Sequence, residues 1–249
     1  MLLRELQVPG DTLRRLAATD PARYPVLFDS ASGGPLGRWS ILACAPRAAL
    51  WLDSSGRLGA QGVEHVGGGF LATLERWYQR EHRAPAQRPP ELPFAGGWAI
   101  FLGYEMAGEV EPRLLLPRST EPWRAFALRV SAALLHDARS GRVLACVEHD
   151  EAALLESLSA DAERAARHAP LPAVARARAV IEEDPALFRA RVLRAQAAIR
   201  AGDIYQANLS RAWQIELEPG VSLAVLYERL RAANPAPFAA LANWRGLSI

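Results

Sequence analysis

The stretch FALRVSAALLHDARSGRVLACVEH, residues 126–149, favours an antiparallel β-fold. Two apolar runs, Phe126–His136 and Arg142–His149, flank the short turn-like segment Asp137-Ala138-Arg139-Ser140-Gly141. Apolar runs bounded by Asp, Ser and Gly are typical of strands joined by a turn. We therefore expect a β-hairpin in the middle of the chain.

Further strand and helix patterns extend outward from this hairpin. Four earlier segments have the apolar, β-branched or aromatic character of strands: Pro25–Ser30, Arg38–Ala45, Ala48–Leu52 and Phe94–Tyr104. Apolar residues at helical spacing predict helices over Phe70–His82, Asp150–His168 and Pro185–Ala201, and another around Leu223–Leu230. Late strands are predicted over Ile204–Leu217 and Phe238–Trp244.

The helix Pro185–Ala201 has the clearest local signals. Asp184 suits an N-cap, Pro185 the first turn, and Gly202 the C-terminal stop. Its predicted buried stripe consists of Phe188, Val192, Ala195 and Ile199.

This order of elements predicts an α+β fold, with antiparallel sheets packed with helices, because strands outnumber helices and no regular βαβ alternation occurs. We divide the chain into two regions, residues 1–168 and 169–249. The residues after the turn Arg245-Gly246 read as the start of a return strand, which would leave an unpaired edge. We therefore expect the chain to be the truncated, N-terminal part of a longer subunit.

Composition restricts the class of protein. The chain has 249 residues, half of them hydrophobic, and a net charge of +2. That charge is too small to indicate a nucleic-acid partner, and no apolar run approaches the ~18 residues of a membrane helix. Met1–Gly10 contains charges and no apolar core of a signal peptide, so a cytoplasmic location is expected.

Several kinds of chemistry are excluded by the residue types. All 29 basic residues are arginine, so this chain can form no lysine Schiff base and no P-loop. Cys44 and Cys146 match no metal or redox spacing and lie in apolar stretches, where they read as small core residues. The five histidines are scattered without ligand or triad spacing.

The segment Ala201–Ser210, AGDIYQANLS, carries the strongest local signal. If it is a strand, Gln206, Asn208 and Ser210 share one face. This uncharged polar row is either a solvated strand face or a contact to a polar ligand or to the interior. We favour the second reading because no charged residue enters the row until Glu216.

The same segment resembles a signature of the chorismate-binding family. Anthranilate synthase large subunits usually carry Phe-Gln-Val-Val at positions Tyr205–Asn208, whereas the aminodeoxychorismate synthase branch carries Tyr-Gln-Val-Asn-Leu. This chain is similar to the second pattern, with Ala207 in place of Val.

Four other segments resemble the family in the same order. Pro25–Ser30 is similar to its Leu-Leu-Glu-Ser strand, with Phe28 and Asp29 as departures, and Gly37–Leu42 to its Gly-Arg-Tyr-Ser-Ile strand. Pro93–Glu105 resembles its glycine-rich segment, and Asn234–Phe238 its Asn-Pro-Ala/Ser-Pro-Tyr/Phe segment.

The resemblance implies a fold and an activity. Family members enclose helices between two antiparallel sheets and aminate chorismate with Mg²⁺ and with ammonia from a glutamine amidotransferase subunit. In the aminodeoxychorismate synthase branch the amine is placed at C4, on the route to p-aminobenzoate and folate. The family's catalytic lysine and Mg²⁺-binding glutamates lie in segments that would follow Ile249. We therefore expect no catalytic residue and no metal ligand in this chain, and no activity of the chain alone.

The resemblance also implies an L-tryptophan pocket, which is a feedback site in some members and a structural site in others. The matching positions are Ser30, Leu36, Gly37, Arg38, Trp39, Tyr205, Asn208, Pro237 and Phe238. Leu36 and Gly37 depart from the Tyr-Ser of some members, and Trp39, Pro237 and Phe238 are also compatible with ordinary core packing.

Two alternatives remain open. Within the family, the chain could belong to an anthranilate synthase large subunit, which Asn208 disfavours. From a different class, it could be a non-catalytic module that binds an amino acid or docks a partner. An open reading frame encoding Ser-Pro-Glu-Arg-Phe downstream would support the enzyme.

Overall fold

The computed structural model describes residues 1–64, 68–81, 91–116, 121–149 and 151–249. Every strand pair in these ranges is antiparallel. This confirms the predicted α+β class with antiparallel sheets.

The largest sheet has seven strands, labelled here by their order along the chain. Across the sheet they are β1 (Leu2–Leu6), β9 (Val143–Val147), β8 (Ala132–Asp137), β3 (Trp39–Cys44), β2 (Val26–Asp29), β12 (Ala239–Trp244) and β13 (Leu247–Ser248). β12 comes from the second predicted region and pairs with β2 of the first. The division at residue 168 stays a prediction.

The other described strands form two smaller sheets. The four-stranded sheet has the order β5 (Leu58–Gln61), β4 (Ala48–Asp53), β7 (Trp123–Val130) and β6 (Gly97–Leu102). β10 (Ala177–Glu182) and β11 (Trp213–Leu217) form a separate two-stranded ribbon.

The helices are α1 (Thr12–Thr19), α2 (Phe70–Glu81), α3 (Ala107–Val110), α4 (Ala152–Ala166), α5 (Pro185–Ala201) and α6 (Leu223–Ala233). A 3-10 turn, Tyr104–Met106, precedes α3. Among the described residues, no helix combines the length and the apolar character that crossing a bilayer requires. His82, the last residue of the predicted helix Phe70–His82, and Asp150, the first residue of the predicted helix Asp150–His168, lie outside the described residues.

The two larger sheets pack face to face with helices on their outer faces. Val26 and Ala43 of the seven-stranded sheet meet Phe126 and Leu128 of the four-stranded sheet in one buried cluster. Side chains of α1 and α4 cover the other face of the seven-stranded sheet. Phe70 and Trp77 of α2 cover the outer face of the four-stranded sheet. The result is the layered packing that amphipathic elements require.

The local signals at α5 are confirmed. Asp184 Oδ1 accepts a hydrogen bond from Ala186 N at 2.8 Å, and Pro185 is the first helical residue. Gly202 closes the helix in the left-handed conformation, with φ +82°, a region that favours glycine. The predicted buried stripe is wrong, because α5 has no buried residue.

Two strand predictions are corrected by the structure. Phe126–His136 is not one strand, because the chain changes sheets at Ser131, between β7 and β8. In Ile204–Leu217 only Trp213–Leu217 is a strand, pairing with β10. Residues 204–212 have no ladder partner among the described residues and are almost entirely exposed, so alternation of residue types alone did not make them a strand.

Candidate ligand pocket

A pocket of about 520 Å³ opens where β2 and β3 meet the segment that leads into β12. This volume is in the range of small-molecule sites. Its lining is formed by Phe28, Asp29, Ser30, Pro35, Leu36, Arg38, Trp39, Ile41, Pro237, Phe238, Ala239 and Ala240. The antiparallel pairing of β12 with β2 brings the 237–240 segment against residues some 200 positions earlier in the chain.

Six of the nine tryptophan-pocket candidates line this cavity: Ser30, Leu36, Arg38, Trp39, Pro237 and Phe238. Gly37 does not line it and instead makes a close backbone contact, since a Cβ there would lie 1.9 Å from the Ser32 carbonyl oxygen. Tyr205 and Asn208 do not line it either, and Tyr205 is 93% exposed. The structure therefore assembles part of the predicted set, and ligand binding stays a prediction.

Ser30 joins the two sides of the pocket. Its hydroxyl lies 2.8 Å from the Trp39 carbonyl oxygen and 3.0 Å from the Pro237 carbonyl oxygen. Its backbone N donates to Ser40 Oγ at 3.1 Å. Because a hydroxyl has one proton and two lone pairs, Ser30 can donate to a carbonyl and still accept from a ligand ammonium group.

Arg38 is held in place beside the pocket. Its Nε and Nη2 donate to the two oxygens of Asp137 at 3.1 and 3.0 Å. The guanidinium carbon lies 4.8 Å from the centre of the Trp39 ring, a cation–π distance. The Arg38 hydrogen bonds are the largest cause that lowers the pKa of Asp137, to about 2. Asp137 balances the charge of Arg38, but two of the five guanidinium N–H donors suffice for this pair, so the others can meet a ligand carboxylate beside the aromatic wall.

The apolar side of the pocket is open to solvent. Leu36 is 67% exposed and Phe238 is 79% exposed. These side chains form walls for an apolar ring without enclosing it.

Asp29 is the buried acid beneath the pocket, and the sequence motif does not predict this role. It accepts hydrogen bonds from Ser40 Oγ at 2.8 Å, Tyr227 OH at 2.9 Å and Arg231 Nε at 2.6 Å. Burial alone would raise the pKa of Asp29, but the hydrogen bonds from Ser40, Arg231 and Tyr227 outweigh it and lower the pKa. In β2, Asp29 lies on the same buried face as Leu27. A charged residue at a core-facing strand position is rare unless it is paired, and this is the signal that could identify it.

Each of two other clefts contains an acidic side chain that is engaged in the fold. In the cleft of about 500 Å³ between α1 and α4, Asp161 accepts from Tyr24 OH at 2.6 Å and pairs with Arg23 at 2.9 Å. In the cleft of about 420 Å³ beside α2, Glu109 accepts from Leu71 N at 2.8 Å. We therefore treat the pocket at β2 and β3 as the candidate site.

The remaining reactive groups fit a structural role. Cys44 and Cys146 are free and fully buried, as predicted. Burial raises the pKa of the Cys44 thiol, and it raises that of Cys146 to about 12, so both stay protonated at neutral pH. The described residues contain no group of three His, Cys, Asp or Glu side chains that could hold a metal ion.

The antiparallel α+β sandwich thus carries a pocket whose volume lies in the range of small-molecule binding sites. Residues 11–249 match the family described as chorismate binding enzyme. The chain belongs to this chorismate-binding enzyme family.

Related proteins are consistent with that membership. The chain is 30% identical to anthranilate synthase component 1 of Thermus thermophilus, over 95% of this chain and 51% of the relative. It is 28% identical to aminodeoxychorismate synthase of Streptomyces griseus, over 91% of this chain and 33% of the relative. The chain thus spans between a third and about half of the length of these curated relatives.

A solved structure shares the fold. The crystal structure of anthranilate synthase component I from Streptococcus pneumoniae superposes with a TM-score of 0.65 at 24% identity. The match covers 84% of this chain and 48% of that chain.

Proposed function

We propose that this chain is the N-terminal portion of a subunit that aminates chorismate to 4-amino-4-deoxychorismate, using ammonia from a glutamine amidotransferase partner. The observation that carries this choice is Asn208 in the segment Tyr205–Leu209, which resembles the aminodeoxychorismate synthase pattern. The similarity to the Streptomyces griseus synthase supports it. A cytoplasmic location fits the two free, buried thiols, which need no oxidising compartment.

The second candidate is an anthranilate synthase large subunit. It is supported by the Thermus thermophilus relative at 30% identity. The two candidates differ in the product, since one places the amine at C4 of chorismate and the other forms anthranilate.

The reaction product formed by the protein that the complete reading frame encodes distinguishes the candidates. The encoded protein is incubated with chorismate, Mg²⁺ and ammonium, and products are separated by mass and fluorescence. We expect 4-amino-4-deoxychorismate. Anthranilate would replace the proposal with the second candidate, and no amination at all would favour a non-catalytic module that binds an amino acid or docks a partner.

In this proposal the residues of this chain serve structure and ligand binding, and we assign none of them to the chemical step. The chain contains no lysine, so a lysine nucleophile cannot come from it. Mg²⁺ is assigned to the intact enzyme, because the Mg²⁺-binding glutamates of the family lie in segments that would follow Ile249. Turnover of chorismate by the 249-residue chain alone, at rates on the order of 1 per second, would contradict this assignment.

For the pocket we propose L-tryptophan as the ligand. Trp39 and Phe238 would contact the indole ring, the Ser30 hydroxyl would accept from the ammonium group, and Arg38 would lie near the carboxylate. Calorimetric titration of the folded chain with L-tryptophan tests this assignment, with glycine as the control that lacks the ring. Absence of heat at millimolar tryptophan would rule out the ligand.

A further inference from the structure

One buried carboxylate connects the pocket to a helix on the opposite side of the sheet. Asp29 is only 3% exposed. Its Oδ1 accepts from Ser40, and its Oδ2 accepts from both Tyr227 and Arg231. Both oxygens are therefore engaged by protein donors.

The two donors on α6 fix the position of that helix. Tyr227 and Arg231 are four residues apart, so they lie on the same face of α6. Their hydrogen bonds to the Asp29 carboxylate are stronger than bonds between two neutral groups. α6 ends at Ala233, and the chain then runs directly into the pocket wall at Pro237 and Phe238.

The residues that follow Asp29 hold this wall from the other side. Ala31 N and Ser32 N donate to the Ala236 carbonyl oxygen at 2.9 and 3.2 Å. The Ser30 hydroxyl lies 3.0 Å from the Pro237 carbonyl oxygen. Four consecutive residues, 29–32, thus hold both α6 and the segment that leaves it.

We infer that Asp29 is a positioning residue of the pocket: its carboxylate fixes α6, and with it the Pro237–Phe238 wall, without binding the ligand itself. This inference rests on the proposed function only for the identity of the ligand. The positioning of α6 and of the Pro237–Phe238 wall by Asp29 concerns the protein alone and can be tested without ligand.

The chain offers a matched control on the same helix. Glu228 accepts from Arg14 Nε at 2.6 Å and fastens α6 to α1. Both side chains are mostly buried, at 12% and 17% exposure. Glu228→Gln weakens the attachment of α6 and leaves the Asp29 contacts in place, so it separates a looser helix from a displaced wall.

The first measurement is amide hydrogen exchange of the ligand-free chain. Asp29→Asn and Tyr227→Phe are expected to speed exchange of the Ala31 and Ser32 amides about tenfold, since each loses a bond to a charged group. Glu228→Gln should speed exchange in α6 and leave those two amides near the wild-type rate. Equal rates at Ala31 and Ser32 in wild type and Tyr227→Phe would overturn the inference.

The second measurement is the dissociation constant for L-tryptophan. It should rise about tenfold in Tyr227→Phe and stay within about twofold in Glu228→Gln. If wild type does not bind tryptophan, the ligand assignment fails and the exchange rates alone decide the role of Asp29. If Asp29→Asn does not unfold cooperatively, Tyr227→Phe decides, because it removes one hydroxyl and keeps the carboxylate. Unchanged affinity in Tyr227→Phe, with wild type binding, would also overturn the inference.

Discussion

The Ser30 hydroxyl lies within hydrogen-bonding distance of two carbonyl oxygens, yet it carries one proton. It therefore contributes to the fold by donating to a carbonyl and keeps lone pairs that can accept from a ligand. Its neighbour Asp29, by contrast, has both oxygens occupied by the protein. The last residue of β2 and the residue after it thus have different roles, with Asp29 holding the surrounding structure and Ser30 able to contact a ligand.

Replacing Ser30 by alanine separates these contributions. Ser30→Ala should lower the free energy of unfolding by about 0.5–1.5 kcal/mol, the usual net value of one hydrogen bond. It should also reduce the rise in melting temperature produced by L-tryptophan, because stabilisation by a ligand follows its affinity. Thermal unfolding with and without ligand gives both quantities.

A control serine lies far from the pocket. Ser159 is buried in α4 and donates to the Leu155 carbonyl oxygen at 2.7 Å. Ser159→Ala should cost similar stability and leave the tryptophan-induced shift intact. A shift that Ser30→Ala preserves in full would remove Ser30 from the ligand contacts.

Asp137 gives the fold a pH dependence whose sign follows from its environment. Arg38, Arg139 N and Ser140 hold its folded-state pKa at about 2, below the value of about 3.9 for an unfolded aspartate. The stabilisation is therefore complete above about pH 4 and is lost as the pH falls through about 2. Asp137→Asn should be roughly 2 kcal/mol less stable at pH 7 and nearly equal to wild type at pH 2.

Urea unfolding at several pH values measures this difference. Ser140→Ala is the milder comparison, since it removes one hydroxyl bond to Asp137 and keeps the Arg38 pair. Ser140→Ala should lower the free energy of unfolding by less than about 1 kcal/mol. Parallel stability curves for wild type and Asp137→Asn between pH 7 and pH 2 would show that the Arg38 pair adds nothing in solution.

At the scale of elements, α4 and α5 are similar in length and rich in alanine but differ in packing. α4 buries Leu155, Leu158, Ala162 and Ala165, whereas α5 buries no residue. Helix stability in proteins comes mainly from the packing of one face. We expect amides in the centre of α5 to exchange on the order of 100-fold faster than those of α4.

Hydrogen exchange of the same sample reports both helices, so α4 is the internal control. Asp184→Ala should speed exchange in the first turn of α5 further, since an N-cap contributes about 1 kcal/mol. Equal protection of α4 and α5 would mean that α5 is covered in solution.

The sequence predicted elements whose signals are local. Asp184 and Gly202 bound α5, and the polar segment Asp137–Gly141 bounds the hairpin of β8 and β9. The break at Ser131 could not be predicted, because β7 and β8 are both apolar and only their partner strands differ. Periodicity reports burial and carries no information about which strand lies alongside.

The first two elements of the chain were missed for a different reason. α1 contains Arg15, which is buried because its guanidinium donates to the Ala166 carbonyl oxygen at 3.1 Å near the end of α4. A buried arginine interrupts the apolar pattern that marks a helix face. β1 is five residues long and includes two charged residues, so its alternation is brief.

The pocket was predictable only in part. Ser30, Arg38 and Trp39 were identified because they lie in short motifs. The role of Asp29 was missed since its partners Tyr227 and Arg231 are about 200 residues away. Contacts of that separation are set by the pairing of β2 with β12, which no local pattern specifies.

At the scale of the whole molecule, the two large sheets share an aromatic core. Trp51, Trp123 and Trp244 meet with ring centres 5.6–6.4 Å apart. Arg245 lies over Trp51 at 4.2 Å and over Trp244 at 4.8 Å. These contacts tie β12 to the four-stranded sheet. The β10–β11 ribbon and α5 are built differently, since neither contains a buried residue.

The β10–β11 ribbon and α5 present large apolar side chains to solvent. The exposed fractions are 63% for Leu193, 58% for Ile181 and 54% for Ile215. Exposed apolar surface on this scale is typical of interaction sites or of proteins that self-associate. We expect the chain to bind a hydrophobic dye and to sediment as a mixture of monomer and larger species at micromolar concentration. Leu193→Glu should lower both effects, because a charge in the patch opposes burial.

A matched leucine outside this region tests the location of the effect. Leu115 is fully exposed in the segment after α3, so Leu115→Glu introduces the same charge elsewhere. It should leave dye binding and sedimentation close to wild type. A wild-type chain that is monomeric, binds no dye and unfolds cooperatively would show that the α5 and β10–β11 surface is covered in solution by contacts within one chain. Equal effects of the two substitutions would assign the association to net charge instead of to the α5 and β10–β11 surface.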